Sequence, residues 1–281
     1  MSVPDVNASM TAGLRALERM QAADGSFPIA ATASRLPSTP FDNLFSTAMI
    51  LGILPGLLGA EAVSRAAAYL LARREPGGMW SWVTNGPLPA DSDDTACCLG
   101  ALAVAGAGID RAEGVRLLRR FWRFFRGPFR TWMARGYWGR RDRDDAVVNC
   151  NVLWALEQLG ATPRRAERAA VTRILARTRG ATRYYCSAAS VAWAAARVGI
   201  PAPHITRPHE SELAGRPLEC ALWLLARPQP WPAATTLLVE MQQRDGAWAA
   251  EPWLQDNTGS WESEAVTTAF AVAALRRITR D

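Results

Sequence analysis

At 281 residues, with 49% hydrophobic side chains, the chain can bury a sizeable core, which excludes wholesale disorder. Its 32 basic residues, all Arg, outnumber 26 acidic ones, and a formal charge of +6 over this length is too dilute for a nucleic-acid-binding surface. The best apolar run, 48–60, falls short of a membrane span and is interrupted by Pro55.

In chain order, apolar periodicity and glycine stops predict alternating helices. A more polar set covers about 7–22, 59–74, 110–126, 162–178, 205–213 and 231–244. A more apolar set covers about 44–55, 92–106, 145–159, 186–198, 217–227 and 262–277. The first set is amphipathic: Asp110 to Arg126 disperses Arg and Glu among Val115, Leu117 and Phe121. The second set suits burial on every face, as in the run Ala96 to Gly106. No stretch alternates with the period of a strand. Six such pairs close naturally into an α/α (six-hairpin) barrel, an all-α, single-domain fold over 1–281 whose fifth pair is short and Pro-rich.

A repeat supports this count. Leu17, Gln21, Gly25 and Phe27 share their spacing with Leu70, Arg74, Gly78 and Trp80, and with Leu238, Gln242, Gly246 and Trp248. Arg123, Gly127 and Phe129 keep the second half of the pattern. Each set describes a helix end, with a long polar side chain one turn past an apolar one, a stopping Gly, and an aromatic plug. The first three units fall at intervals of roughly 50 residues, as an array of helical pairs requires. Five cysteines in apolar contexts without paired ligand spacing, after a start (1–7) lacking a basic stretch and apolar core, predict reduced thiols in a cytoplasmic protein.

If the apolar set lines the barrel, its N-termini open at one end. They place there Asp42 with Asn43, Asp91 with Asp93 and Asp94, and Asp142 with Asp144, Asp145 and Asn149. Tyr184 with Tyr185, Glu219, and Trp261 with Glu262 and Glu264 complete the rim. Asp at a helix start caps free N–H groups and meets the positive end of the macrodipole. Capping accounts for Asp42, Asp142 and Asp145, and for Asp91 with Asp94, but gives no reason for Asp93 between them. Crowded carboxylates resist ionising together, so this cluster retains a proton at a pH where an isolated Asp has lost it.

Asp91-Ser92-Asp93-Asp94-Thr95-Ala96 resembles the DxDDTA signature of class II terpene cyclases, the family of squalene–hopene cyclase. The repeat is similar to the Gln–Trp repeat of squalene cyclases and prenyltransferases. The resemblance implies that Asp93 is a general acid that protonates an alkene or epoxide and starts carbocation cyclisation, with Asp91 and Asp94 as flanking partners. Squalene–hopene cyclases and plant-type diterpene cyclases use two barrels, whereas this chain has room for one. A C15 to C20 prenyl diphosphate or a prenylated small molecule is therefore the expected substrate, with a homodimer or partner chain as a means of completing the cavity. No His or other donor stands out beside the acid.

A cation needs aromatic faces around it, and Trp261, Tyr184 and Trp82 are the expected rings, with Asn149 and Glu264 as polar substrate contacts. Protonation requires no cofactor. A diphosphate substrate would bring Mg²⁺, for which Asp142, Asp145 and Asn149 share a helix face, although they lack the DDxxD spacing of metal-triggered ionisation. The basic, aromatic stretch 118–132 fits an outer helix packing its rings inward, with peripheral membrane contact as the alternative. His204 and His209 supply no zinc set of the protein prenyltransferase kind, and nucleophilic triads and phosphate loops are absent. Two other functions stay open. One is a non-catalytic prenyl-lipid binding module or partner subunit; the other is an α/α-barrel carbohydrate-active enzyme with Asp93 and Glu264 flanking a sugar.

Overall fold

The computed structural model describes residues 5–32, 42–84, 86, 88–123, 127–132, 144–227, 229–255 and 259–280. The helices are α1 (Val6–Met20), α2 (Leu44–Ile53), α3 (Ala60–Ala72), α4 (Ser92–Val104), α5 (Arg111–Arg120) and α6 (Ala146–Gln158). They continue as α7 (Arg165–Thr178), α8 (Ala188–Arg197), α9 (Pro217–Leu225), α10 (Pro232–Glu240) and α11 (Glu264–Ile278). The apolar set forms a closed inner ring: α2 packs on α4, α4 on α6, α6 on α8, α8 on α9, α9 on α11, and α11 back on α2. The polar set lies outside it, with α1 against α11, α3 against α2, α5 against α4, α7 against α6 and α10 against α9.

Composition explains the two layers. Inner α4 is buried from Ser92 to Ala103 and α6 from Ala146 to Leu156, so neither has a solvent face. Outer α5 buries Gly114, Leu117 and Leu118 and turns its arginines out. The inner helices run parallel. Loops entering them interlace at one end, where Ser92 N–H donates to Thr131 O and Cys186 N–H to Trp253 O. At the other end the C-terminal parts of α2, α9 and α11 surround a 260 Å³ cleft lined by Ile53, Pro55, Leu57, Leu225, Ala273 and three arginines, with no carboxylate among the lining residues.

The repeat is a hydrogen-bonded module. Gln21 Nε2 donates to the Gly25 carbonyl at 3.0 Å, Arg74 Nε to Gly78 at 3.0 Å, and Gln242 Nε2 to Gly246 at 2.8 Å. Each Gln also reaches the next outer helix, Gln21 to Ala62 O and Gln242 to Ser9 O. The indole N–H of Trp80 donates back to Leu70 O at 2.8 Å and that of Trp248 to Leu238 O at 2.7 Å. The turn tolerates only Gly where φ is 89° at Gly25 and 90° at Gly246, since an added Cβ would meet Arg65 O at 2.3 Å and Ala12 O at 2.7 Å. The aromatic's own N–H then donates to a side chain one turn into the following inner helix: Thr47, Thr95, Asn149 or Thr268.

One expected helix needs correction. The outer segment predicted at 205–213 contains only a 3₁₀ turn, Glu210–Leu213, because Pro208 interrupts it and Gly215, at φ 74°, stops it two residues after Leu213. The fold is all-α apart from one small addition. A small antiparallel sheet, ordered β1 (Ala30–Ala31), β3 (Ser260–Glu262), β2 (Pro252–Gln255), covers part of the loop end. Trp261 lies in β3, so α11 starts at Glu264 rather than at 262. Among the described residues, no helix is long and apolar enough to cross a membrane.

Candidate active site

The Asp91–Asp94 segment begins α4 at the loop end of the ring. Asp91 is the N-cap: its Oδ1 accepts from Asp93 N–H at 2.7 Å and Asp94 N–H at 2.8 Å. The cap turns Asp93 inward toward α6 and the segment before α8. There Asn151 Nδ2 donates to Asp93 Oδ1 at 2.7 Å, and the Tyr185 hydroxyl meets Asp93 Oδ2 at 2.7 Å. Asn151 Nδ2 also lies 3.0 Å from the Tyr185 oxygen. Of the triplet, Asp93 is the most accessible at 9% exposed, against 5% for Asp91 and 2% for Asp94.

Burial is the main influence on all three carboxyls, and it disfavours their charged forms. Asp91 is pushed up to about 6 by desolvation, opposed by the N–H groups it caps and by a hydrogen bond from Asp94. Asp94 is raised well above the usual carboxylate range by burial and by the charge of Asp91, and its Oδ2 is buried without a hydrogen-bond partner. Asp93 is pushed up to about 7 by burial and by Asp91, against the stabilising bonds from Asn151 and Tyr185. The negative charge of the triplet therefore rests first on Asp91, at the positive end of α4, while its neighbours keep their protons. An amide N–H can only donate, so Asp93 Oδ1 is the carbonyl-like acceptor; Oδ2 accepts from the Tyr185 hydroxyl and is the oxygen left to carry a labile hydrogen.

Rings continue from Tyr185 toward the loop end. Phe45 lies 6.4 Å from Tyr185, 5.3 Å from Trp253 and 6.0 Å from Trp82, and Trp82 meets Trp261 edge-on at 5.6 Å. Trp82, Tyr184 and Trp261 are only partly buried, whereas Phe45, Tyr185 and Trp253 are buried. Tyr184 accepts from Trp132 Nε1 at 3.2 Å. The buried ring bonded to the acid is Tyr185, which is not among the expected rings.

Asn149 and Asp145 have other occupations. Asn149 is fully buried, with its amide bonded to both backbone groups of Phe129 and to Asp145 O, making it the counterpart of Thr47, Thr95 and Thr268 in the repeat. Asp145 caps α6 through Val147 and Val148 N–H, and its other oxygen accepts from Thr182 and Arg183. No lone pair of Asp145 is left pointing at a vacant metal position, and Asp142 lies outside the described residues. Glu264 is raised by desolvation and by Asp245, with no hydrogen bond toward Asp93. Among the described residues, no cluster of three His, Cys, Asp or Glu is arranged to hold a metal.

The 118–132 stretch packs where it is described. Phe121 and Phe129 are fully buried, Arg119 pairs with Glu167 at 3.3 Å, and Arg123 pairs with Asp144 at 3.2 Å. All five cysteines are free thiols, with only Cys186 partly exposed.

Sequence reasoning did not find the partners of Asp93. Asn151 stands out in the sequence as a mid-helix Asn, unfavourable unless its side chain is bonded, but nothing local links it to Asp93. Tyr185 carries only its place beside Tyr184. Arg197, whose Nη2 donates to Asn151 Oδ1, is masked as an ordinary cation at a helix C-terminus.

No protein-family model matches the sequence, and neither does any functionally curated protein. Solved structures do match. The type II terpene cyclase MstE from Scytonema superposes with a TM-score of 0.69 at 19% identity over 98% of this chain and 99% of that one. A variant of MstE in complex with geranylgeranyl dihydroxybenzoate, its substrate, gives 0.69 at 16% identity, covering 98% of this chain and 97% of that one. The ent-copalyl diphosphate synthase from Streptomyces platensis gives 0.57 at 20% identity, over 83% of this chain and 50% of that larger one. At these identities the likeness is one of architecture, and the architecture of this chain is that of the type II terpene cyclases.

Proposed function

We propose that the protein is a single-barrel, class II-type terpene or meroterpenoid cyclase in which Asp93 is the general acid. The observation that supports this reading is the buried Asp93 carboxyl bonded by Asn151 and Tyr185 at the start of a chain of aromatic rings, where burial favours its protonated form. A cap needs Asp91; it does not need Asp93 hydrogen-bonded to α6 and to Tyr185.

The substrate's terminal alkene takes the hydrogen from Asp93 Oδ2. The new C–H bond forms at the less substituted carbon, and the positive charge appears on the more substituted one. The next double bond then closes a ring onto that carbon. Asn151 and Tyr185 donate to the carboxylate left behind, which makes the transfer less uphill. Phe45, Trp82 and Trp253 offer π-faces that attract the cation. Loss of a proton from carbon to a base ends the sequence, and solvent reprotonates Asp93.

A prenylated aromatic acid or a C15 to C20 prenyl diphosphate suits a lone barrel, and the substrate of MstE, a geranylgeranyl dihydroxybenzoate, belongs to the first class. A diphosphate would need a counterion, which Asp145 is not free to hold. Incubation with farnesyl and geranylgeranyl diphosphates and with prenylated hydroxybenzoates, with and without EDTA, tests the reading by mass spectrometry of products. Cyclised product is expected from the wild type and not from Asp93→Asn. Product that persists in Asp93→Asn refutes the mechanism, and tight prenyl binding without product in either protein points to the binding module.

A further inference from the structure

We propose that Arg197 is a positioning residue for the Asp93 acid: clamped against Trp154 and Trp193, its guanidinium holds the Asn151 amide in the one orientation that donates to Asp93. The inference rests on Asp93 being the proton donor.

A carboxamide can flip, presenting either N–H₂ or C=O to its neighbour. Asn151 is denied that choice. Arg197 Nη2 can only donate, so Asn151 must offer it Oδ1, and Nδ2 is thereby aimed at Asp93 Oδ1 and the Tyr185 oxygen. The flipped amide would set two acceptors against each other at Asp93 and two donors against each other at Arg197.

The clamp is itself built in. The guanidinium carbon lies 4.3 Å from the ring centres of both Trp154 and Trp193. Trp154 is seated by glycines on two neighbouring inner helices: an added Cβ at Gly100 would fall 2.2 Å from its ring, and one at Gly52 2.8 Å from it. Trp193 is braced edge-on by Phe270 at 4.9 Å. The arrangement is costly for stability alone. Arg197 Nε and Nη1 are buried without hydrogen-bond partners, and among the described residues no carboxylate lies within ion-pairing distance. A cation kept there unpaired acts on what lies beyond Asn151.

The groups facing Asp93 from its own helix are Asp91, Asp94 and the thiol Cys97; Cys98 and Glu75 act on the flanking acids. From the N-cap of α6 comes Asp145, and from the segment before α8 comes Tyr185, while Cys150 faces Arg197 and Asp145. Among these groups Arg197 is the cation. After proton transfer it opposes the acids and thiols and, through the polarised amide, favours the Asp93 carboxylate. Removing it makes Asp93 a weaker acid that keeps its proton to higher pH.

The experiment titrates the Asp93 carboxyl by ¹³C NMR in the wild type, Arg197→Gln, Trp193→Phe and Asn151→Leu, with folding checked by near-ultraviolet circular dichroism. The Asp93 midpoint should rise by about one pH unit in Arg197→Gln, and by a smaller step in Trp193→Phe, which loosens the clamp with a gentler change. In the Asn151→Leu background Arg197→Gln should add little, since its route to Asp93 is gone. With a cyclised substrate, Arg197→Gln should lower kcat about tenfold, leave KM nearly unchanged and carry the alkaline limb of activity upward with the titration. A midpoint unmoved in every variant that folds, or an activity that falls without its limb moving, overturns the proposal. The titration uses no substrate, so absence of product in the wild type would count against the cyclase reading while leaving the role of Arg197 to be decided by NMR.

Discussion

Asp93→Asn should stabilise the protein above neutral pH while abolishing turnover. The free acid favours the folded state relative to the carboxylate, because burial lifts Asp93 from 3.8 to about 7. The contribution is fully present below the ordinary carboxylate value and is lost as the pH rises toward the folded value. At about 1.4 kcal/mol per pH unit of added proton affinity, ionising Asp93 in the fold costs about 4 kcal/mol. Asn retains a carbonyl for the Asn151 amide and offers an N–H₂ to the Tyr185 oxygen, and it carries no charge to desolvate. The stability of the variant should therefore gain on that of the wild type by about 3–4 kcal/mol between pH 4 and pH 8. Urea unfolding of both proteins at matched pH measures this directly, and the contributions of Asp91 and Asp94 largely cancel in the difference. In thermal melts the gap should widen by roughly 6–8 °C. Parallel pH profiles for the two proteins would refute the argument, since they would mean that Asp93 is free to ionise in the fold.

Gly100→Ala forces a methyl into the Trp154 ring and should cost about 1–3 kcal/mol in thermal melts, with loss of activity beyond that expected from stability because the Arg197 seat moves. Asn149→Thr should be close to neutral, since Thr47, Thr95 and Thr268 make the same tie, while Asn149→Ala leaves Phe129 N–H and C=O unpaired and costs about 1–3 kcal/mol in urea unfolding. Thiol titration of the native protein should count Cys186 at most, and slowly, because burial pushes it up to about 11 and the other four thiols are buried; five rapid equivalents would contradict this packing.

The helical layers were legible because two independent signals coincide: apolar runs mark the inner members, and Gly with its aromatic marks each turn. The fifth pair resisted, since prolines at 201, 203 and 208 obscure a segment that is neither helix nor simple loop. The sheet was invisible because its strands are two to four residues long and one of them is Ala-Ala. At the site, local crowding in sequence marked the triplet, but the groups that bond Asp93 lie 58 and 92 residues away along the chain. Asn149 and Asn151 show why periodicity stops short. Two residues apart on one helix they face nearly opposite ways, one tying the repeat and the other touching the acid.

Because α1 packs on α11 and Gln242 reaches across to Ser9 O, the array of hairpins has no first or last member. An open solenoid frays from its tips, one unit at a time. A circle laced to itself offers no tip, so losing any single hairpin breaches the whole girdle and bares the middle to water. Chemical denaturation of this barrel should accordingly pass in one sharp step, and a nick anywhere in the girdle should be felt at the acid.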